Sequence, residues 1–222
     1  MRKQLLAAIG AVGLMIGVAD SASASTFGYA PQGALNNGFN TIYGSNTRMG
    51  WYGASLHLIG GPSDIDVYFL GKEASFQNSF EFPGGTTVVS TAGLSNGFSL
   101  PASPTATVAS VVSGLLDLIF KTNNGISTKS VANGSNPDEM AGQLGINFFV
   151  TFVHDQFAHA GKVVDLWFDD QRQGDDNHDD LGIRLAISGG NGHFAVPLPA
   201  AFVLMLTALG ILGVAAHRRL AA

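Results

Sequence analysis

Through the middle of the chain, apolar and polar residues alternate with a period of two, the mark of half-buried strands. The cleanest case sets Ile65, Val67 and Phe69 against Asp64, Asp66 and Tyr68. Alternation explains Asp64-x-Asp66 better than a metal-binding DxD motif does, because both carboxylates fall on the wet face. Upstream, Tyr52, Ala54, Leu56 and Leu58 share one parity before the turn Gly60-Gly61-Pro62-Ser63. Phe76, Phe80 and Phe82 surround Asn78, and Gly84-Gly85 leads into a β-branched strand, Thr86–Thr91. Ile146–Val153 is the strongest buried strand. Val163–Phe168, holding Trp167, comes next, and in Leu181–Ser188 the residues Leu181, Ile183, Leu185 and Ile187 face one way. Thr105–Phe120 carries both a helical spacing (Val108, Val111, Val112, Leu115, Ile119) and an alternating one (Leu116, Leu118, Phe120), and Leu115–Thr122 is assigned to strand. Asn123–Leu144 reads as a long polar excursion of the kind that carries functional surface, and Gly189–His193 as a linker. Seven or more short strands with turn signals between them predict an all-β domain. The expected form is an antiparallel β-sandwich, jelly-roll-like, over residues 25–195, with Ile146–Val153 beside Val163–Phe168.

Both ends depart from this pattern. Met1–Ala24 has Arg2 and Lys3, an apolar stretch Leu5–Ala19, and Ala22-Ser23-Ala24 as a small-residue cleavage site. Together they predict a signal peptide over 1–24. At the other end an apolar run, Ala200–Ala216, is followed by His217, Arg218 and Arg219. With its flanks the run is about 19 residues, which nearly spans a hydrocarbon core of about 30 Å. A transmembrane helix is expected over about residues 198–216, with the arginines on the cytoplasmic side and the rest of the chain outside. A buried C-terminal core helix is the competing reading, but the run has no polar face to meet solvent.

Val196-Pro197-Leu198-Pro199-Ala200, then the apolar run, then the arginines, resembles the VPLPA variant of the PEP-CTERM sorting signals. The likeness covers residues 196–222. It implies a substrate of an exosortase-type transpeptidase, cut near the Pro-containing motif after export and bound for the cell surface or beyond, with the inner membrane as a transient partner. The resemblance concerns delivery and assigns no activity to the body.

Composition narrows the rest. Twenty-nine glycines, fifteen phenylalanines and only three glutamates suit strands and tight turns. A net charge of −5 argues against a nucleic-acid partner. With no cysteine, an exported chain must rely on its core, on metal or on oligomerisation. Gly93-Leu94-Ser95-Asn96-Gly97 matches the nucleophile elbow by letter, but Phe98-Ser99-Leu100-Pro101 starts no helix, so a turn is expected. Asn133-Gly134-Ser135 is a glycosylation sequon by letter only. His154, His159 and His178 lack the spacing of a zinc motif and read as loop residues.

The densest chemistry lies between the last two strands. Seven of the sixteen acidic residues fall between Asp165 and Asp180. A divalent cation would relieve the repulsion of so many carboxylates. Asp175, Asn177 and Asp179 offer oxygens at alternate positions as a calcium loop does, with Asp169, Asp170 or Asp180 to complete the shell. Asp180 stands where an EF-hand has glycine and no glutamate closes the loop, so this is not an EF-hand. The other reading is a solvated turn whose aspartates bond backbone amides and pair with Arg172 or Arg184. The stretch from Phe148 to Ser188 also resembles the terminal hairpin of many exported PEP-CTERM proteins and the Asp-rich end of an exported bacterial domain of unknown function, DUF4114; neither likeness implies a chemistry.

Three functions follow as expectations. The first is a non-catalytic cell-surface or matrix protein associated with exopolysaccharide, because no coherent nucleophile, acid–base or cofactor set is present. The second is a calcium-dependent carbohydrate-binding module using Trp51, Tyr52 and Trp167. The third is a secreted hydrolase using Asp and His of the acidic loop, which a single wet loop supports least.

Overall fold

A computed structural model describes residues 25–29, 42, 49–123, 125–137, 145–155, 157–170, 178–197 and 207–210. Among these the chain forms strands in the order β1 (Thr26–Tyr29), β2 (Met49–Tyr52), β3 (His57–Ile59), β4 (Ser63–Lys72), β5 (Gln77–Glu81) and β6 (Thr87–Ser90). There follow β7 (Gly97–Phe98), β8 (Ala106–Val111), β9 (Gly114–Leu115), β10 (Ile119–Asn123) and β11 (Thr128–Ala132). The last are β12 (Asn147–Phe152), β13 (Ala160–Gly161), β14 (Val163–Asp169), β15 (Leu181–Gly190) and β16 (His193–Ala195). The protein is all-β, and among the described residues every strand pairing is antiparallel.

Three sheets result. The largest runs β1-β2-β12-β14-β15-β4-β7, with β8 also on β4; the second runs β11-β10-β5-β6; the third runs β13-β16-β3-β9. β12 lies beside β14 in the register Phe148↔Phe168 and Val150↔Leu166, the expected neighbours. All six residues of β12 are buried because both its faces are covered. Phe148, Val150 and Phe152 point into the main core, whereas Phe149 joins Tyr52, Leu70 and Trp167 in a second cluster on the opposite face. The main core links the first two sheets through aromatic rings: Phe120 stacks on Phe168 at 5.0 Å between centroids and meets Phe80 at 5.0 Å and Phe148 at 5.3 Å. Gly182 faces Trp167 across the β14–β15 pair, and a Cβ there would come within 2.8 Å of the indole. The missing side chain is what lets the ring approach the strand this closely.

Several expectations need correction. Thr105–Phe120, whose spacing allowed helix or strand, contains strand β8 at Ala106–Val111, and the predicted strand Leu115–Thr122 breaks into β9 and β10. Leu116 and Leu118, between them, are both buried. The excursion Asn123–Leu144 contains β11, which forms a hairpin with β10. Its exposed Thr128, Lys129 and Ser130 hid it, since an edge strand needs little apolar surface. Gly189–His193 is not a linker, because β15 runs to Gly190 and β16 begins at His193. The single strand expected around Tyr52–Leu58 is two, separated at Gly53, whose φ of 61° is left-handed. Gly93–Gly97 starts no helix, as expected, but the turn falls at Ala92-Gly93, with Gly93 at φ 73°, and Gly97 of the Asn-Gly pair already belongs to β7.

Among the described residues no helix is long and apolar enough to cross a membrane. Residues 207–210 are helical and exposed. The rest of the span expected over 198–216 and all of the signal peptide, Ala22 and Ala24 included, lie outside the described residues.

Candidate functional site, the acidic turn between β14 and β15

The two ends of the acidic turn are folded into the body and are not wet. Asp169 and Asp170 at its start, and Asp179 and Asp180 at its end, are all buried. Asp175 and Asn177 lie outside the described residues. The ends clasp each other: the Asp170 N–H donates to Asp180 Oδ2 at 2.8 Å, and the Asp180 N–H donates to the Phe168 carbonyl at 3.2 Å. The Asp179 carbonyl accepts from the Glu73 N–H at 2.8 Å, which ties the turn to the end of β4.

A residue far away in sequence completes this clasp. Asn78, in β5 of the second sheet, donates from Nδ2 to Asp170 Oδ2 at 2.9 Å and reaches the Asp180 carbonyl at 3.4 Å. Its own backbone is fixed on both sides by Thr91, whose Oγ1 accepts from Asn78 N at 2.8 Å and whose N–H donates to Asn78 O at 2.9 Å. Thr122 of β10 sits directly opposite Asn78 in the sheet. Side chains of such a pair share a face about 5 Å apart. Asn78 Oδ1 and Thr122 Oγ1 are both buried without a hydrogen-bond partner. These polar residues occupy the end of the apolar space that Phe80 and Phe120 fill further along the same two strands.

Asp169 belongs to the opposite face, where it pairs across the sheet with Asn147. His178 packs against the same residues, its ring edge-on to Tyr52 at 5.9 Å and to Phe149 at 6.3 Å. Its Nε2 hydrogen-bonds Asn147 Oδ1. An amide oxygen only accepts, so Nε2 carries the proton. Nδ1 lies 3.9 Å from Asp169 Oδ2, which is too long for a hydrogen bond. Complete burial pushes the His178 pKa down to about 3. The ring is therefore neutral at physiological pH and forms no ion pair with Asp169, despite their proximity. His178 holds φ 52°, a left-handed turn of the chain that feeds Asp179 and Asp180 back into the body.

On the inner side the electrostatics run the other way. Burial, then the carboxylates of Asp170, Asp169 and Asp179, push the Asp180 carboxyl up to about 9. Asp180 thus retains a proton at neutral pH unless a cation replaces it. Asp165, further along β14, is buried but answered: Arg184 donates Nε to Oδ1 at 2.7 Å and an Nη2 to Oδ2 at 2.9 Å.

Compared with the sequence reading, the structure brings Asp170 and Asp180 together and turns Asp169 to the other side. Among the described residues no three His, Asp or Glu side chains converge as metal ligands. Asn78, Thr122 and Asn147 were not anticipated. The signal was present for the first two, each a polar residue at the parity of phenylalanines: Asn78 with Phe80 and Phe82, Thr122 with Phe120. Trp51, Tyr52 and Trp167 are all buried and present no face to a sugar. His159 and His154 do not join His178; the His159 carbonyl accepts from the Val196 N–H at 2.8 Å. Asn133 of the sequon is buried and bonds backbone groups with both atoms of its amide.

Of the sorting motif, Val196 is packed into the main core and Pro197 is partly buried; Leu198, Pro199, Ala200, Arg218 and Arg219 lie outside the described residues. No family model matches the chain, and no curated protein and no solved structure matches it.

Proposed function

We propose that this chain is a non-catalytic exported protein of the cell surface or extracellular matrix, carried through the inner membrane, processed by an exosortase-type transpeptidase and associated with exopolysaccharide. One observation carries the reading: the last described strand, β16, ends at Ala195, immediately before the sorting motif. β16 supplies the last strand of the third sheet, and Val196 closes the core with its N–H on the His159 carbonyl.

Several buried polar groups serve the fold. Asn133 bonds Leu56 and Leu116, Asn136 bonds both backbone groups of Phe148, and Asp165 bonds Arg184. Each satisfies a buried group and none leaves a reactive atom facing a substrate. We also infer that the body is a β-sandwich of jelly-roll character, a reading supported by the Phe80, Phe120, Phe148 and Phe168 rings that fill the space between two sheets. Burial of Trp51, Tyr52 and Trp167 removes the aromatic platform from the carbohydrate-module alternative.

The test is processing in a host that has the sorting enzyme. Replacing Pro197 and Pro199 with alanine is expected to leave the precursor in the inner membrane with its C-terminal segment attached, while the wild type is shortened near residue 200. An identical mature mass for wild type and double variant contradicts the reading.

A further inference from the structure

We propose that Asp170, Asp180, Asn78 and Thr122 form a site for one calcium ion at the end of the space between the first two sheets. The site goes beyond the delivery reading and does not depend on it. It also differs from the ligand set suggested by the loop sequence, because half of its oxygens come from β5 and β10.

Two independent observations meet here. The first is the pair of buried carboxylates, Asp170 and Asp180, locked side by side by the 2.8 Å bond from Asp170 N to Asp180 Oδ2. The second is the pair of buried oxygens with no partner, Asn78 Oδ1 and Thr122 Oγ1, on residues facing each other across two strands. A native interior seldom leaves such atoms unpaired, and two neighbouring ones beside two carboxylates call for a common ligand. The Asn78 amide already touches Asp170 Oδ2 through Nδ2. A half-turn of that amide presents its carbonyl oxygen instead, to Asp170 and to the Asp180 backbone carbonyl. The Asn78 carbonyl oxygen would then lie beside the two carboxylates and the Asp180 carbonyl, on the face it shares with Thr122, an arrangement that a cation would stabilise.

The donor set selects the class of ion. All the donors are hard oxygens (carboxylate, amide, hydroxyl, backbone carbonyl) and no sulfur or ring nitrogen is among them. This excludes a zinc preference, since the nearby His178 ring is committed to Asn147 on the other face. Calcium accepts six to eight oxygens in irregular geometry at about 2.3–2.6 Å, and water can supply the remainder; magnesium demands a tighter octahedron at about 2.0–2.1 Å. A bound calcium would join β5 and β10 of the second sheet to the β14–β15 turn of the first. In a protein delivered outside the cell it would tighten the fold after export, at the roughly 0.1–1 mM affinities typical of extracellular modules.

The experiment uses the full chain in detergent, stripped with chelator and then titrated with calcium chloride, read by calorimetry and by melting temperature. Wild type is expected to take up one calcium per chain and to melt about 5 °C higher or more at a hundredfold excess over the dissociation constant. Asp180→Asn is expected to weaken binding at least ~30-fold without lowering the melting temperature of the chelated protein, since the amide oxygen still accepts from the Asp170 N–H. Thr122→Val, which keeps the shape and removes an unpaired hydroxyl, is expected to weaken binding by about 3- to 10-fold while the chelated protein melts no lower than wild type. If Asp180→Asn does not fold, Thr122→Val decides alone. The proposal is overturned if wild type shows neither heat nor a melting shift at about 10 mM calcium, or if Thr122→Val binds with wild-type affinity.

Discussion

Arg184→Met is expected to destabilise the protein by about 3–5 kcal/mol, the usual cost of removing one partner from a buried ion pair. Asp165 lies in the middle of β14 and is fully buried, while Arg184 on β15 stands directly opposite it. Alternation places both on the face that also carries Trp167, so neither carboxylate oxygen meets water. The guanidinium grips both carboxylate oxygens at 2.7 and 2.9 Å, a planar fork that methionine has no means to replace. Urea unfolding checks the size of the loss. The double variant Asp165→Leu/Arg184→Met is expected to lose much less than the single one, because an apolar pair removes the charge together with its partner. Equal losses in both variants would mean that packing, and not the ion pair, holds the two strands at this point.

Asn133→Ala is expected to cost about 3 kcal/mol. The Asn133 amide replaces a missing strand. Its Oδ1 accepts from the Leu56 N–H at 2.8 Å, and its Nδ2 donates to the carbonyls of Leu56 at 2.7 Å and Leu116 at 2.8 Å. Both carbonyls keep a second donor, Leu116 N for Leu56 O and Leu118 N for Leu116 O, so the largest single loss is the orphaned Leu56 N–H. Leu56, Leu116 and Leu118 are all in the main core, where an unpaired amide has no water to turn to. Asn133→Asp is expected to be as damaging, because a carboxylate oxygen would take the place of Nδ2 and be repelled by the two carbonyl oxygens. Thermal melts of the two variants test this, and a change under 1 °C in either would contradict the assigned geometry.

How much of this could be read from the residues depends on what each residue does. Strands covered on one face were legible. Ile65, Val67 and Phe69 alternate as expected, and the continuous apolar run around Phe148–Phe152 fell where the core is densest. Polar edge strands were not legible: β11 shows only Val131 and Ala132 to a pattern search, and its identity as a strand comes from pairing with β10. The acidic turn was legible as a concentration of charge, but its two ends were misjudged as wet. Local sequence sees Asp169, Asp170, Asp179 and Asp180 as neighbours of water. Their burial is set by Asn78, a hundred residues upstream, and by His178 folding under Tyr52 and Phe149. The signal that could have corrected this was Asn78 at a core parity, since a polar side chain there requires an equally buried partner.

Burial of the turn's two ends is what the rest stands on, and His178 reports it directly. A ring buried between Tyr52 and Phe149 with Nε2 on Asn147 stays neutral down to about pH 3. Below pH 6.5 the unfolded chain takes up a proton that the folded ring refuses, so this residue makes stability fall as pH drops from about 6.5 towards about 3. The measurement is an NMR titration of the His178 ring signal, assigned by its absence in His178→Gln, between pH 8 and 5. A flat signal across that range is the expected result. A midpoint near 6.5 would show the ring in water, and the acidic turn with it.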